Sequence, residues 1–195
     1  TAVLKKHNIG GGYVVCYIGT VGMAHALETV VEAARKSHDD DVFFVVVGAG
    51  AAWDGLAESS RGLKNFRLIE KLEREDALDL LAAADVSLIH LMDTPVFRTV
   101  IPSKTFEAMA LGKPIILGVL GEAAALVERA EAGVVVQPES PEALNEAVQR
   151  LKLSTGEAER MGANGRSYVR ENHSREELAR KMIRVFEDVL QPSFV

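Results

Sequence analysis

Cysteine is nearly missing from this sequence. With only Cys16 present, no disulfide can form within the chain, and such usage fits a reducing compartment. Cys16 itself lies in the apolar run Tyr13 to Ile18 and reads as a small buried hydrophobe. Long apolar runs are missing too: none reaches the roughly 18 residues that a membrane-spanning helix needs. No basic-then-apolar leader opens the chain. Positive charge is sparse and scattered. At a net charge of −6, no basic groove for nucleic acid is expected. Nor do the histidines at 7, 38 and 173 cluster as zinc ligands do.

What remains is ordinary globular material, 48% hydrophobic and 26% charged over 195 residues. That is enough chain to bury a full core without staples. Short apolar runs alternate with helical patterns. Strands are expected at 14–18, 42–47, 66–69, 86–90, 115–117 and 134–136, and helices at 24–37, 53–60, 77–84, 102–110 and 122–130. Nearly continuous apolar strands in a βα alternation belong in a parallel sheet covered on both faces. The expected fold is α/β, a Rossmann-like doubly wound sheet of about six strands. From about residue 140 the pattern becomes purely helical. Ser140-Pro141-Glu142 places a cap and a proline at a helix start, and Ser154 to Glu157 and Ser174 to Glu177 have capping-box spacing. The last helix carries a wide apolar stripe, Leu178, Met182, Ile183, Phe186, Val189 and Leu190, which is expected to pack on something. The expected domain is 13–190. The chain opens on Thr1 rather than methionine and soon enters a strand, so a piece of a longer protein is expected.

Ligands of open parallel sheets bind beyond the carboxyl ends of the strands. Four segments fall there. Gly19-Thr20-Val21-Gly22 follows the first strand; its glycines admit a close ligand, and the next helix would offer free N–H groups to a phosphate. An ordinary strand-to-helix turn has the same look. Gly48-Ala49-Gly50 follows the second strand and fits either a second ligand loop or a tight turn; it is not a dinucleotide fingerprint. Glu70 to Glu73, including Leu72, follows the third strand, where a base can rest against the backbone. The fourth segment is the most specific. Pro102 fits a first helical position, which puts Ser103 and Lys104 in the first turn, where amides, hydroxyl and ammonium all favour an anion. Glu107 lies one turn on, along the same face. Its carboxylate suits a ribose diol, whereas a solvated helix glutamate is the plainer reading.

Four blocks in order carry a resemblance: Tyr17-Ile18-Gly19-Thr20, Val47-Gly48-Ala49-Gly50, Leu80 to Leu88, and Pro102-Ser103-Lys104 with Glu107-Ala108-Met109-Ala110 and Gly112-Lys113-Pro114. Together they resemble the C-terminal domain of the retaining group 1 (family-four) glycosyltransferases, built from two facing Rossmann domains. The pattern is nearest to bacterial amino-sugar transferases of surface-polysaccharide assembly. The resemblance implies that a nucleotide-diphosphate sugar, by preference a UDP-sugar, binds here. It assigns Glu107 to the donor ribose, Ser103 and Lys104 to the diphosphate, and Gly19 and Gly22 to the loop beside it. Thr20, Gly48, Leu72 and Thr99 complete the expected donor contacts, with Lys104 and Glu107 as the catalytic pair. No metal or other cofactor is implied. The implied partner is an N-terminal acceptor domain of the same protein. The implied location is the cytoplasm, with peripheral association at the inner membrane face if the acceptor is lipid-linked. Three places depart from the family. Thr99 stands where a second glutamate is frequent, and Thr20 and His25 stand near a usual arginine and lysine. His25 reads either as a phosphate ligand or as a helix-surface histidine.

The alternatives are a nucleotide-sugar 2-epimerase of the same architecture and a non-catalytic nucleotide-binding module. The epimerase would need further carboxylates in the cleft, and the Glu107 segment, which resembles the group 1 helix, counts against it. A receiver module needs acids after the first strand, where Gly19-Thr20 stands. A dehydrogenase needs an acid closing the second strand, which ends Val47-Gly48.

Overall fold

A computed structural model of the chain describes residues 2–190. Six strands, β1 (Tyr13–Ile18), β2 (Val42–Gly48), β3 (Phe66–Glu70), β4 (Val86–His90), β5 (Ile115–Gly118) and β6 (Gly133–Val135), form one sheet in the order β3-β2-β1-β4-β5-β6. Every pairing is parallel. After β3 the chain crosses back over the sheet to set β4 beside β1. This reversal of winding leaves a crevice outside the carboxyl ends of β1 and β4.

Helices α1 (Ala2–Lys6), α2 (Glu28–Lys36), α3 (Trp53–Ser59), α4 (Arg74–Ala83), α5 (Ser103–Ala110), α6 (Glu122–Arg129), α7 (Pro141–Leu153), α8 (Thr155–Asn172) and α9 (Arg175–Leu190) surround it. Strand side chains alternate between faces. Val15, Tyr17, Phe44 and Val46 pack with Leu27, Val30 and Val31, with Leu56 of α3 and with Leu144 and Val148 of α7. Val14, Cys16, Val45 and Val47 face the other way, onto Leu4 of α1 and Leu80 and Leu81 of α4. Further along, Ile89, Ile115 and Leu117 meet Ala108 and Met109 of α5 and Leu126 and Val127 of α6. A fully buried leucine or isoleucine of this kind contributes roughly 1.5–3 kcal/mol. Burial also pushes the Cys16 thiol up to about 12, so the lone cysteine is an inert core residue.

Several elements differ from the sequence expectations. Residues 2–12 are not a bare approach to a strand: α1 packs on α4, and Leu4 and Ile9 are buried. The helix expected at 24–37 starts as a 3₁₀ turn, Met23–His25, breaks at Ala26 in the left-handed region, and resumes as α2 at Glu28. Helix α4 begins at Arg74, ahead of the expected 77. Pro102 is the cap of α5 rather than its first residue, because its ψ of 132° is extended. The side chains of Ser140 and Ser174 cap α7 and α9 by accepting from the Ala143 and Glu177 amides, both at 3.2 Å. Ser154 makes no such side-chain bond; Glu157 pairs with Arg150 instead. The apolar stripe of α9 is exposed: Phe186 is 58% accessible and Leu190 79%. The expected packing of that stripe is therefore not found among the described residues.

Candidate functional site

The two glycine loops are laced together beyond the sheet. The Gly19 amide donates to the Val47 carbonyl and the Val21 amide to the Ala49 carbonyl, each at 2.9 Å. The Ala52 amide returns to the Val21 carbonyl at 3.0 Å. This lacing explains Gly48: a β-carbon there would collide with the Gly19 carbonyl oxygen. The sequence reading placed a helix end behind Gly22 for a phosphate. The structure corrects it. Gly22 caps only the short 3₁₀ turn, and the α-helix proper starts later with an acid, Glu28, in its first turn.

Helix α5 supplies a better end. Its first turn has no side-chain cap, so its leading amides are open to an anion. Lys104 folds back across the mouth of the crevice. Its Nζ donates to the Tyr17 hydroxyl at 2.9 Å and lies 4.0 Å from the centre of the Tyr17 ring. The Tyr17 hydroxyl in turn donates to the Thr20 carbonyl at 2.8 Å. A β-carbon on Gly19 would sit 2.6 Å from Lys104 Nζ, so the glycine leaves room for the ammonium. Burial lowers the Lys104 pKa to about 8, against a smaller upward pull from Glu107.

Two adjoining cavities open at this edge. One, of about 150 Å³, is lined by Lys104, Glu107, Arg74, Ser87 and Leu88, among others. The other, of about 450 Å³, is lined by Gly19, Thr20, Gly48, Ala49, Lys71 and Leu72, among others. Ile18 and Ala77 line both. Six of the expected residues therefore share one crevice: Gly19, Thr20, Gly48, Leu72, Lys104 and Glu107. Gly22, Thr99 and Ser103 line neither cavity. Ser103 is exposed at the first turn of α5. Thr99 ends an exposed 3₁₀ turn (Phe97–Thr99) and its hydroxyl donates to the Val96 carbonyl at 2.9 Å.

Arg74, which lines the crevice, and Tyr17, buried behind it and bonded to Lys104, were not anticipated. Arg74 stands across from Glu107, with Nη2 3.7 Å from the carboxylate; its exposure makes this a weak, screened pair. The only sequence signal for it was a basic residue just after the Glu70–Glu73 segment. Tyr17 had a clearer signal, since an aromatic hydroxyl near the carboxyl end of a buried strand needs a partner.

The neighbouring residues hold the walls. His90, 2% accessible, donates from Nδ1 to the His25 carbonyl (2.8 Å) and accepts at Nε2 from the Glu139 amide (3.0 Å). Both ring nitrogens are used, and burial lowers its pKa, so the ring is neutral. The His25 ring meets Tyr17 edge-on, with Nδ1 buried and lacking a well-formed partner. Burial first, and Lys104 second, lower its pKa. Asp93 and Arg98 form a bidentate pair at 2.8 and 2.9 Å. Trp53 packs against the core. Asp39, at the opposite edge of the sheet, is held by Lys152 and Gln149. Asp85 accepts from the Val14 amide at 2.7 Å and so ties down the start of β1.

The sequence pattern of the family described as glycosyl transferases group 1 matches residues 2–168. The chain belongs to that family. Among curated relatives of this group 1 chain, a putative colanic acid biosynthesis glycosyl transferase of Escherichia coli K12 is 31% identical over 146 residues, 72% of this chain and 35% of that protein. A D-rhamnosyltransferase of Pseudomonas aeruginosa is 26% identical over 163 residues, 80% of this chain and 40% of that one. The chain thus spans well under half the length of these relatives. Among solved structures, Anabaena HepE in complex with UDP superposes with a TM-score of 0.83 at 15% identity, over 96% of this chain and 52% of that one. A glycosyltransferase from Rickettsia africae gives 0.82 at 17% identity, over 98% and 52%. At these identities the structural likeness speaks for the fold.

Proposed function

We propose that this group 1 chain is the donor-binding half of a glycosyltransferase that moves a sugar from a UDP-sugar to an acceptor, with retention at the anomeric carbon. One observation carries the reading: Lys104 and Glu107 of α5, a helix without a side-chain cap, line a cavity that adjoins the one lined by Gly19 and Gly48. The diphosphate lies between the α5 amino end and the Gly19 loop, where Lys104 and free amides meet its charge. Glu107 accepts both hydroxyls of the ribose, displacing Arg74. The base rests along Leu72. As the sugar leaves, negative charge grows on the diphosphate, and pre-placed donors stabilise it without reorganising. Lys104 and the helix end carry that charge, so the mechanism calls on no metal. The acceptor and any general base belong to an N-terminal domain of the same protein. The names of the bacterial relatives favour a polysaccharide or glycolipid product, and a lipid-linked acceptor would bring the whole protein to the cytoplasmic membrane face. Among the described residues no helix is long and apolar enough to cross a membrane. UDP is favoured over other nucleotides because it is the nucleotide named with the Anabaena structure.

Calorimetric titration with UDP, GDP and ADP tests the reading. UDP is expected to bind best, and Glu107→Ala to lose about 2–4 kcal/mol when both charged hydrogen bonds to the diol are removed. Unchanged affinity in that variant would take Glu107 out of the site.

A further inference from the structure

Tyr17 is fully buried on β1, 87 positions from Lys104 in the chain, yet its hydroxyl stands between two parts of the crevice. It accepts from the ammonium on α5 and donates to the Thr20 carbonyl of the glycine loop. A phenol hydroxyl has one proton to give and lone pairs to receive with, so the two bonds use it in a fixed sense: lysine to tyrosine to loop. Phenylalanine would fill the same core space and break both bonds. The ring does a second job. Its face lies under Nζ, which offers a cation–π contact, while the His25 edge braces its other surroundings.

We propose that Tyr17 is the positioning residue for donor binding, holding Lys104 Nζ at the Gly19 loop so that the ammonium stands ready where the diphosphate arrives. This inference rests on the donor-binding reading above and adds to it the residue that orients its lysine. The ammonium is partly out of water and is kept charged by few groups. Those facing it are the Tyr17 oxygen and ring from β1, Glu107 from its own helix, with Arg74 of α4 drawing on that carboxylate, and the His25 ring from the 3₁₀ turn. The tyrosine oxygen is the only hydrogen-bond acceptor for Nζ found among the described residues. Its removal therefore disfavours the charged form, and a diphosphate prefers the charged form.

The experiment is a double-mutant cycle on the intact chain, with UDP as the probe and affinity measured from pH 6.5 to 9.5. Tyr17→Phe is expected to weaken UDP binding roughly 10-fold near neutral pH, the scale of one hydrogen bond to a charged group. The pH at which affinity falls away is expected to move to lower values in that variant. In a Lys104→Met background, Tyr17→Phe is expected to change affinity less than about twofold, because coupled residues do not add. Equal losses in both backgrounds, or an unmoved pH profile, would show that Tyr17 merely supports the loop, and would overturn the inference while leaving donor binding intact. Absence of UDP binding by the unmodified chain, and by Tyr17→Phe, would instead remove the donor reading and this inference with it. Should Tyr17→Phe not fold, 3-fluorotyrosine at position 17 keeps the packing and weakens the oxygen as an acceptor. The same downward shift of the pH profile is then expected with smaller amplitude, and no shift would overturn the inference.

Discussion

His90 shows how one side chain can hold the crevice walls without touching a ligand. Its Nδ1–H reaches the turn that follows Gly22, and its Nε2 receives the Glu139 amide, whose own side chain accepts from the Asp93 amide at 2.9 Å. Neutral imidazole is required, since a second proton would take away the acceptor. The folded pKa lies below the ordinary 6.5 because the ring is buried. The unfolded chain therefore binds more protons between that lowered value and about 6.5. Stability from this group is complete above 6.5 and is lost as pH falls below it. Urea midpoints at pH 7.5, 6.5 and 5.5 should decline across that series, and His90→Gln, weaker at neutral pH, should show a flatter slope. Equal slopes would assign the acid sensitivity to other groups. The strand expected at 86–90 puts His90 at the carboxyl edge of the sheet. The sequence could not show which two loops the ring joins, because both partners are backbone groups, distant in the chain and without side-chain signature.

The glycine loops make the same point at the level of elements. A strand followed by glycine is legible in one dimension, but the lacing of 19–21 to 47–52 is a product of parallel register, with Ile18 level with Val47. The break at Ala26 was not legible either. Alanine carries no signal for a left-handed backbone, so the helical spacing at Leu27, Val30 and Val31 ran back past the true start of α2. The α5 block was read to within one residue, since proline, serine, lysine and the following apolar period all bear on the same boundary. Gly48→Ala tests the lacing. The added methyl meets the Gly19 carbonyl, and overpacking of this kind costs about 1–3 kcal/mol. Denaturant titration should register that loss, and UDP affinity should fall as the Gly19 loop is pushed toward Lys104. A variant with unchanged stability and affinity would mean that the two loops move independently.

At the scale of the molecule, the described residues of the chain form one six-stranded parallel sheet flanked by helices. Both faces of its sheet are covered, and the topology expected from alternating runs is the one observed. Its relatives are more than twice as long as the stretch it matches. We therefore expect the isolated chain to bind UDP-sugar without transferring the sugar to an acceptor; product formation from radiolabelled donor by this chain alone would contradict that. The stripe on α9 was visible in sequence, whereas its exposure was not, because burial depends on surfaces that a single segment does not encode. Charge adds a last consequence. The molecule carries a net −6, so an anionic nucleotide diffuses in against a repulsive field before it meets the sheltered ammonium of Lys104. Dissolved salt screens the distant repulsion far more than a short, partly buried contact. Stopped-flow traces should show encounter quickening as ionic strength rises, with escape of the bound nucleotide little altered, the reverse of what a basic groove would do.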